Sequence, residues 1–286
     1  NLDVVDLRDL HDRESKLVSL VSSGRKTIVY VTSRDQSVNV VRMLRHRIPD
    51  LAPRIAFYNA GLERPLRTRV ERAFRDDELA CIVSTSAFGE GVNLPSVRQV
   101  VLYTLPFGRV EFNQMSGRAG RDGKQSQVYL LFGGRDRRLN EKIMSSAAPA
   151  REQLVALWRA LILASRTAPE EGFALDADAL AASAAAIDPA HPLDAASVES
   201  GVGVFAELGF LEVAGYGDAR RVRLVPKPEH MDLMNSSRYL EGVNGRHDFE
   251  SFCDWVLHCP CEDLLAHVIK PIAPVFGVQV GERDEL

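Results

Sequence analysis

The sequence has no apolar run near the ~18 residues that a membrane-crossing helix requires, so no bilayer span is expected. It has no GxxxxGK(S/T) stretch, the loop that cradles nucleotide phosphates, and no acidic metal-binding box behind a strand pattern. Cysteine is scarce: Cys81, Cys253, Cys259 and Cys261 are the four among 286 residues. Cys259 and Cys261 stand closer than the ligands of a zinc knuckle, so even with His258 alongside the expectation is reduced structural thiols, no bound metal and a cytoplasmic location. Positive charge is not in excess either. A formal net charge of −4 excludes a chain that is basic throughout and leaves room only for a local basic surface. The first residues, NLDVVDLRDLHDRESK, are mixed and acidic, unlike a signal peptide, and without an initiator Met they read as the start of a piece cut from a longer chain.

What is present is an α/β pattern followed by a mainly helical one. Over 1–145, short β-branched runs alternate with helical stretches. The strand candidates are 3–7, 27–31, 54–58, 80–84, 99–103 and 127–132, and several are apolar along their whole length. Such runs suit strands buried on both faces, which implies an open parallel sheet with helices on both sides. Ligands in such folds sit at the carboxyl ends of the strands.

Residues 146–286 read as a second, mainly α domain. The pattern from Asp136 to Leu163 is helical throughout, with Leu154, Leu157, Trp158 and Leu161 spaced three and four apart. Asp194 is a candidate N-cap for a helix through Leu208, and Gly209 fits a left-handed C-cap. Two strand patterns follow around Gly215-Tyr216-Gly217-Asp218. Helix, helix, hairpin over about 176–226 is the order of a winged helix, with terminal helices beyond it. A later helix carries Phe249, Phe252, Cys253 and Val256 on one face.

Four segments carry chemistry. In QMSGRAGRDG, Gln114 to Gly123, a helical reading puts Gln114, Arg118 and Arg121 on one face, with Gly117 and Gly120 keeping the backbone slim. Two planar, permanently charged donors beside an amide suit a polyphosphate. Ser84 to Pro95 follows an apolar strand with hydroxyls and glycines, a loop fit for phosphate or sugar contacts. Ser33-Arg34 and Tyr58-Asn59-Ala60-Gly61-Leu62 close two other strands. The arginines of the segment around Arg64, Arg67, Arg69 and Arg72 form either a solvated face or a DNA stripe.

In this order and spacing the four motifs resemble the second RecA-like lobe of superfamily 2 helicases, and the RecQ family in particular, where the segments read NSR, YHAGL, ATxAFGMGINKPxVR and QExGRAGRDG. The resemblance covers about half of the chain. It implies that Arg121 is an arginine finger on the γ-phosphate of ATP, Arg118 its companion, and Gln114, Gly91 and Asn93 part of the ATP-side cluster. It implies that Ser33, Arg34, Gly61 and Thr85 face single-stranded DNA. Asn59 stands where the family has His, and Met115 where it has Glu, which puts fine coupling in doubt. ATP and Mg would be held mainly by a first lobe that this sequence does not contain, so the chain alone is not expected to bind or hydrolyse ATP.

The tail is similar to the C-terminal domain of RecJ-type single-strand DNA exonucleases, through Pro149 to Leu154 (PxRE), Val204 to Phe210 (VFxELGF) and Met231 to Tyr239 (DLxxSxxY). That resemblance implies an end-processing enzyme of DNA repair or recombination. Its expected partners are single-stranded DNA, an upstream ATP-binding lobe, an upstream exonuclease core and a single-strand DNA-binding protein, with no membrane. A RecQ-like helicase without a nuclease, or a non-catalytic DNA- or protein-binding module, are the alternatives. In the candidate wing, Arg221 and Arg223 alternate with apolar residues and share an outward face open to a phosphate backbone.

Overall fold

The computed structural model describes residues 1–86, 88, 94, 96–166, 168–169, 171–226 and 230–269. They fall into two compact units: Asn1–Gly133 together with the chain from Trp255, and Gly134–Asp254. The sequence reading placed its division at 145, inside the first helix of the second unit.

The first unit is built from β1 (Leu2–Asp6), α1 (Arg13–Ser22), β2 (Thr27–Tyr30), α2 (Arg34–Arg47), β3 (Ile55–Tyr58), α3 (Arg64–Arg75), β4 (Cys81–Ser84), β5 (Gln99–Leu102), α4 (Arg109–Ser116) and β6 (Ser126–Leu130). The six strands form one sheet in the order β1-β6-β5-β2-β4-β3. Every pairing is parallel, with Ile28 level with both Ile82 and Val100. β2, β4 and β5 are buried at each residue. This is why their sequences are apolar without alternation: helices cover both faces. Leu17 and Val21 of α1 and Val41 and Leu44 of α2 pack with Val29, Val83 and Val101 on one face. On the other, Tyr58 and Phe74 both meet Phe88 edge-on, with ring centroids 4.9 and 5.8 Å apart. Each such apolar side chain contributes about 1.5–3 kcal/mol on full burial. Parallel pairing brings Tyr30, Tyr58, Ser84 and Leu102, the last residues of their strands, to one edge of the sheet.

The second unit is built from α5 (Gly134–Ala147), α6 (Arg151–Ser165), β7 (Phe173–Ala174), α7 (Ala177–Ile187), α8 (Ala195–Glu207), β8 (Leu211–Ala214), β9 (Arg221–Leu224) and most of α9 (Ser237–His258). The long helix read over 136–163 is in fact two. Pro149 has no backbone N–H to donate and disfavours helical geometry in the residue before it. A new helix starts directly afterwards, where the Gln153 side chain accepts from Ala150 N at 2.9 Å. The Asp194 carboxylate caps α8 by accepting from Ser197 N at 2.8 Å, and Gly209 beyond its end has a φ of 70°. The hairpin β8–β9 follows, with β7 as a third antiparallel strand in the order β7-β9-β8. Leu154, Leu157, Leu161, Val198, Val202 and Phe205 form the core of this unit. Phe249, Phe252 and Cys253 of α9 are buried, on the face the sequence pattern marks.

The described chain closes with α10 (Cys261–Ile269), which belongs to the first unit and lies along β1. Arg8, just past β1, secures the turn before it by donating to Val256 O at 2.8 Å and Cys259 O at 3.0 Å. No helix among the described residues is long and apolar enough to cross a membrane.

Candidate functional site

QMSGRAGRDG is not one helix. α4 ends at Ser116, so Gln114 is helical and exposed while Arg118 and Arg121 lie in the turns beyond. The expected i, i+3 face is therefore absent. Beyond the helix end, Gly120 has a φ of 66°, a left-handed conformation that only glycine adopts freely. Its carbonyl accepts from Asn1 Nδ2 at 2.8 Å, its N–H donates to Val97 O at 3.1 Å, and Gly123 N closes the turn on Gly120 O at 3.0 Å. A Cβ on Gly120 would lie 2.6 Å from Asn1 Nδ2. The close approach foreseen for this glycine is thus made by the chain's own first residue.

The turn brings the two arginines together at Tyr30, the last residue of β2. Burial pushes the Tyr30 phenol well above its ordinary pKa, while the charges of Arg118 and Arg121 and a hydrogen bond from Arg118 pull it down. Arg121 is itself lowered, first by burial and then by the charge of Arg118. Its Nε donates to Gly117 O at 3.1 Å, leaving the outer guanidinium nitrogens exposed. Two like charges held side by side favour an anion between or beside them. Asp122, next in the chain, does not supply it, because it pairs with Arg98, whose hydrogen bond holds the carboxyl below its ordinary range.

The other strand-end residues line the same edge. Ser33 ends the turn after β2 and caps α2, its Oγ accepting from Gln36 N at 3.1 Å. Arg34 opens α2, and its side chain lies over Gly61, where a Cβ would sit 3.6 Å from Arg34 Cδ. Asn59 shapes this turn from inside. Its Oδ1 accepts from Gly61 N at 2.9 Å and its Nδ2 donates to Ser37 Oγ at 3.0 Å. Thr85 is half-buried beyond β4, where Ser84 Oγ donates to Tyr58 O at 2.8 Å and ties the ends of β4 and β3 together. Gly91 and Asn93 lie outside the described residues.

Arg221 and Arg223 sit on the second unit and are treated within it. Both are exposed on β9, with Val222 buried between them, as alternation requires. Arg221 donates to Gly172 O at 2.7 Å, and Arg223 pairs with Glu212 across the hairpin at 2.6 Å. A surface pair of this kind contributes only about 0–1 kcal/mol and yields readily to a stronger anion. Tyr216 at the hairpin turn is 94% exposed. Among the described residues, no three His, Cys, Asp or Glu side chains gather as a metal site, Cys259 and Cys261 included.

Residues 12–123 match the model of the helicase conserved C-terminal domain. The ATP-dependent DNA helicase RecQ of Haemophilus influenzae is 33% identical over 125 residues, covering 44% of this chain and 20% of that protein. The RecQ of Pasteurella multocida is 35% identical over 113 residues, covering 40% and 17%. Over this stretch the chain is similar to RecQ-like DNA helicases. The RecQ-like DNA helicase blm-1 of Caenorhabditis elegans is also similar, 37% identical over 113 residues, covering 40% of this chain and 11% of that protein. The chain thus spans a fifth or less of the length of these curated relatives. The match favours the RecQ-like alternative and leaves the exonuclease reading of the tail without support.

Two residues that organise this region, Tyr30 and Arg98, were not singled out in the sequence, whereas Asn59 was, within the Tyr58 to Leu62 segment. Tyr30 had a signal, a polar tip closing an otherwise apolar strand. Arg98 had none, since its partner Asp122 is distant in sequence.

Proposed function

We propose that this chain supplies the second, RecA-like lobe of a RecQ-like DNA helicase. In this reading Arg121 is the arginine finger, Arg118 its companion, and Gln114 completes the ATP-facing cluster. The observation that carries it is the meeting of Arg118 and Arg121 at Tyr30, beside an Asp122 that pairs with Arg98. The donor set fits phosphate oxygens but includes no loop to hold a nucleotide, so ATP and Mg belong on a partner lobe, in the same polypeptide or another. Bound there, ATP supplies the phosphoanhydride to be cleaved. The two guanidinium groups stabilise the negative charge that builds on the transferring phosphoryl group.

Ser33, Arg34, Gly61 and Thr85, on the carboxyl edge of the sheet, grip single-stranded DNA through its backbone. The unit at about 176–226 is read as a winged helix, with Arg221 and Arg223 as further backbone contacts. Arginine fingers contribute roughly 10³–10⁵ in rate. In the longer protein that carries this lobe, Arg121→Ala is expected to lower DNA-stimulated ATP turnover by about that factor. Unchanged turnover sinks the assignment.

A further inference from the structure

α3 carries five arginines in twelve residues, in a chain whose net charge is negative. Arg69 is exposed and stands apart from the rest; the other four divide into two sets. Arg67 turns inward with Glu71 and Phe74: Glu71 accepts from the Tyr58 hydroxyl at 2.6 Å, Arg67 acts on the same hydroxyl, and Phe74 is fully buried. These three tie α3 to the end of β3. Arg64, Thr68, Arg72 and Arg75 follow at spacings of four, four and three, so they share one face, and all four are exposed.

Two of the nearby acids are engaged elsewhere. Glu71 takes the Tyr58 hydroxyl, and Asp77 pairs with Lys26 at 2.5 Å. Among the described residues no carboxylate pairs with the side chain of Arg64, Arg72 or Arg75, although Arg8, Arg98, Arg137, Arg220 and Arg223 all have one. The row also begins where the strand-end surface stops. Arg34 lies over Gly61, three residues before Arg64.

We propose that this face of α3 is a phosphate track that continues the strand-end grip, so that one single strand of nucleic acid runs from Arg34 along Arg64, Arg72 and Arg75. The row is about 16 Å long at the helical rise of 1.5 Å per residue. Guanidinium groups with no internal partner lose no ion pair on meeting phosphate, and contact with the backbone alone makes the track indifferent to base sequence. The inference rests on the reading that the strand-end residues hold single-stranded DNA.

The experiment uses the whole 286-residue chain with oligo-dT of six and of twenty nucleotides, and reads affinity against salt. Each phosphate contact contributes a slope of about 0.7 for a single strand. The triple variant Arg64→Gln, Arg72→Gln, Arg75→Gln is expected to lower the slope for the 20-mer by about 2 while binding the 6-mer like the parent. A control of equal charge, Lys16→Gln, Lys124→Gln, Lys142→Gln, is expected to keep the parent slope. An unchanged slope in the α3 variant, or an equal drop in the control, overturns the track. If the parent chain binds neither oligonucleotide, it is the strand-end grip itself that fails.

Discussion

The Asn1 side-chain amide donates to Gly120 O at 2.8 Å, across 119 residues of sequence, and occupies the space a Cβ on Gly120 would need. This tertiary hydrogen bond, together with that from Gly120 N to Val97 O, holds the turn that presents both arginines.

Gly120→Ala is expected to strain this turn in two ways. A left-handed residue with a Cβ costs about 1–2 kcal/mol, and the methyl would displace Asn1. A urea titration of the chain should show that loss of stability. In the longer protein, ATP turnover should fall with little change in DNA affinity. A variant with the parent's midpoint and turnover would show that the turn does not depend on glycine.

Asn59→Ala is expected to weaken the fold and the DNA edge together. Asn59 is 5% exposed and serves both Gly61 N and Ser37 Oγ. Removing a buried partner of this sort costs about 1–3 kcal/mol. The Gly61 turn beside Arg34 then loses its internal brace. Thermal unfolding and oligo-dT affinity measured side by side check this, and Asn59→His, the residue the motif resemblance leads one to expect there, should recover part of both. Loss of stability with DNA affinity unchanged would separate the turn from DNA contact.

His267 sets a pH dependence on the first unit. Its ring meets Trp255 edge-on at 4.8 Å, Arg109 lies over the Trp255 ring at 4.7 Å, and His267 Nε2 is buried with no hydrogen-bond partner. Burial, and then the Arg109 charge, lower its pKa below the usual 6.5. The fold therefore favours the neutral ring, and the unfolded chain takes up the proton first as pH falls. The stability this neutral ring contributes is complete above pH ~6.5 and is lost as pH drops through the lowered folded value. Urea midpoints at pH 7.5 and 5.5 should differ more for the parent than for His267→Phe. Equal differences would remove His267 as the cause.

The sheet was legible because its signals are local and repeated. β2, β4 and β5 are apolar apart from Thr27, Ser84 and Gln99 at their ends, and that pattern has few structural solutions besides a strand covered on both faces. Asp194 and Gly209 were legible for the same reason: capping chemistry lies within a few residues of the cap. The break between α5 and α6 was missed because residues on both sides of Pro149 are good helix formers. The end of α4 was missed because a glycine inside a helical pattern is tolerated, and the turn that follows Gly117 is held at Gly120 by Asn1 from the far end of the chain. The meeting of Arg118 and Arg121 at Tyr30 is likewise tertiary. The spacing marked Arg118 and Arg121 as neighbours on a helix face, whereas a turn brings them together.

The bonds that hold the arginine turn also leash it. Val97 O takes the N–H of Gly120, and Arg98 grasps Asp122 on the other side of Arg121. Residues 97 and 98 are the lead-in to β5, a strand at the middle of the sheet, and Gln127 N of β6 is bonded to Arg98 O at 2.9 Å. Arg121 is therefore mounted on the chassis of the sheet like a pawl on its frame. A push on the stretch feeding β5 is transmitted to the reach of Arg121, and a load on Arg121 is felt at that stretch in return.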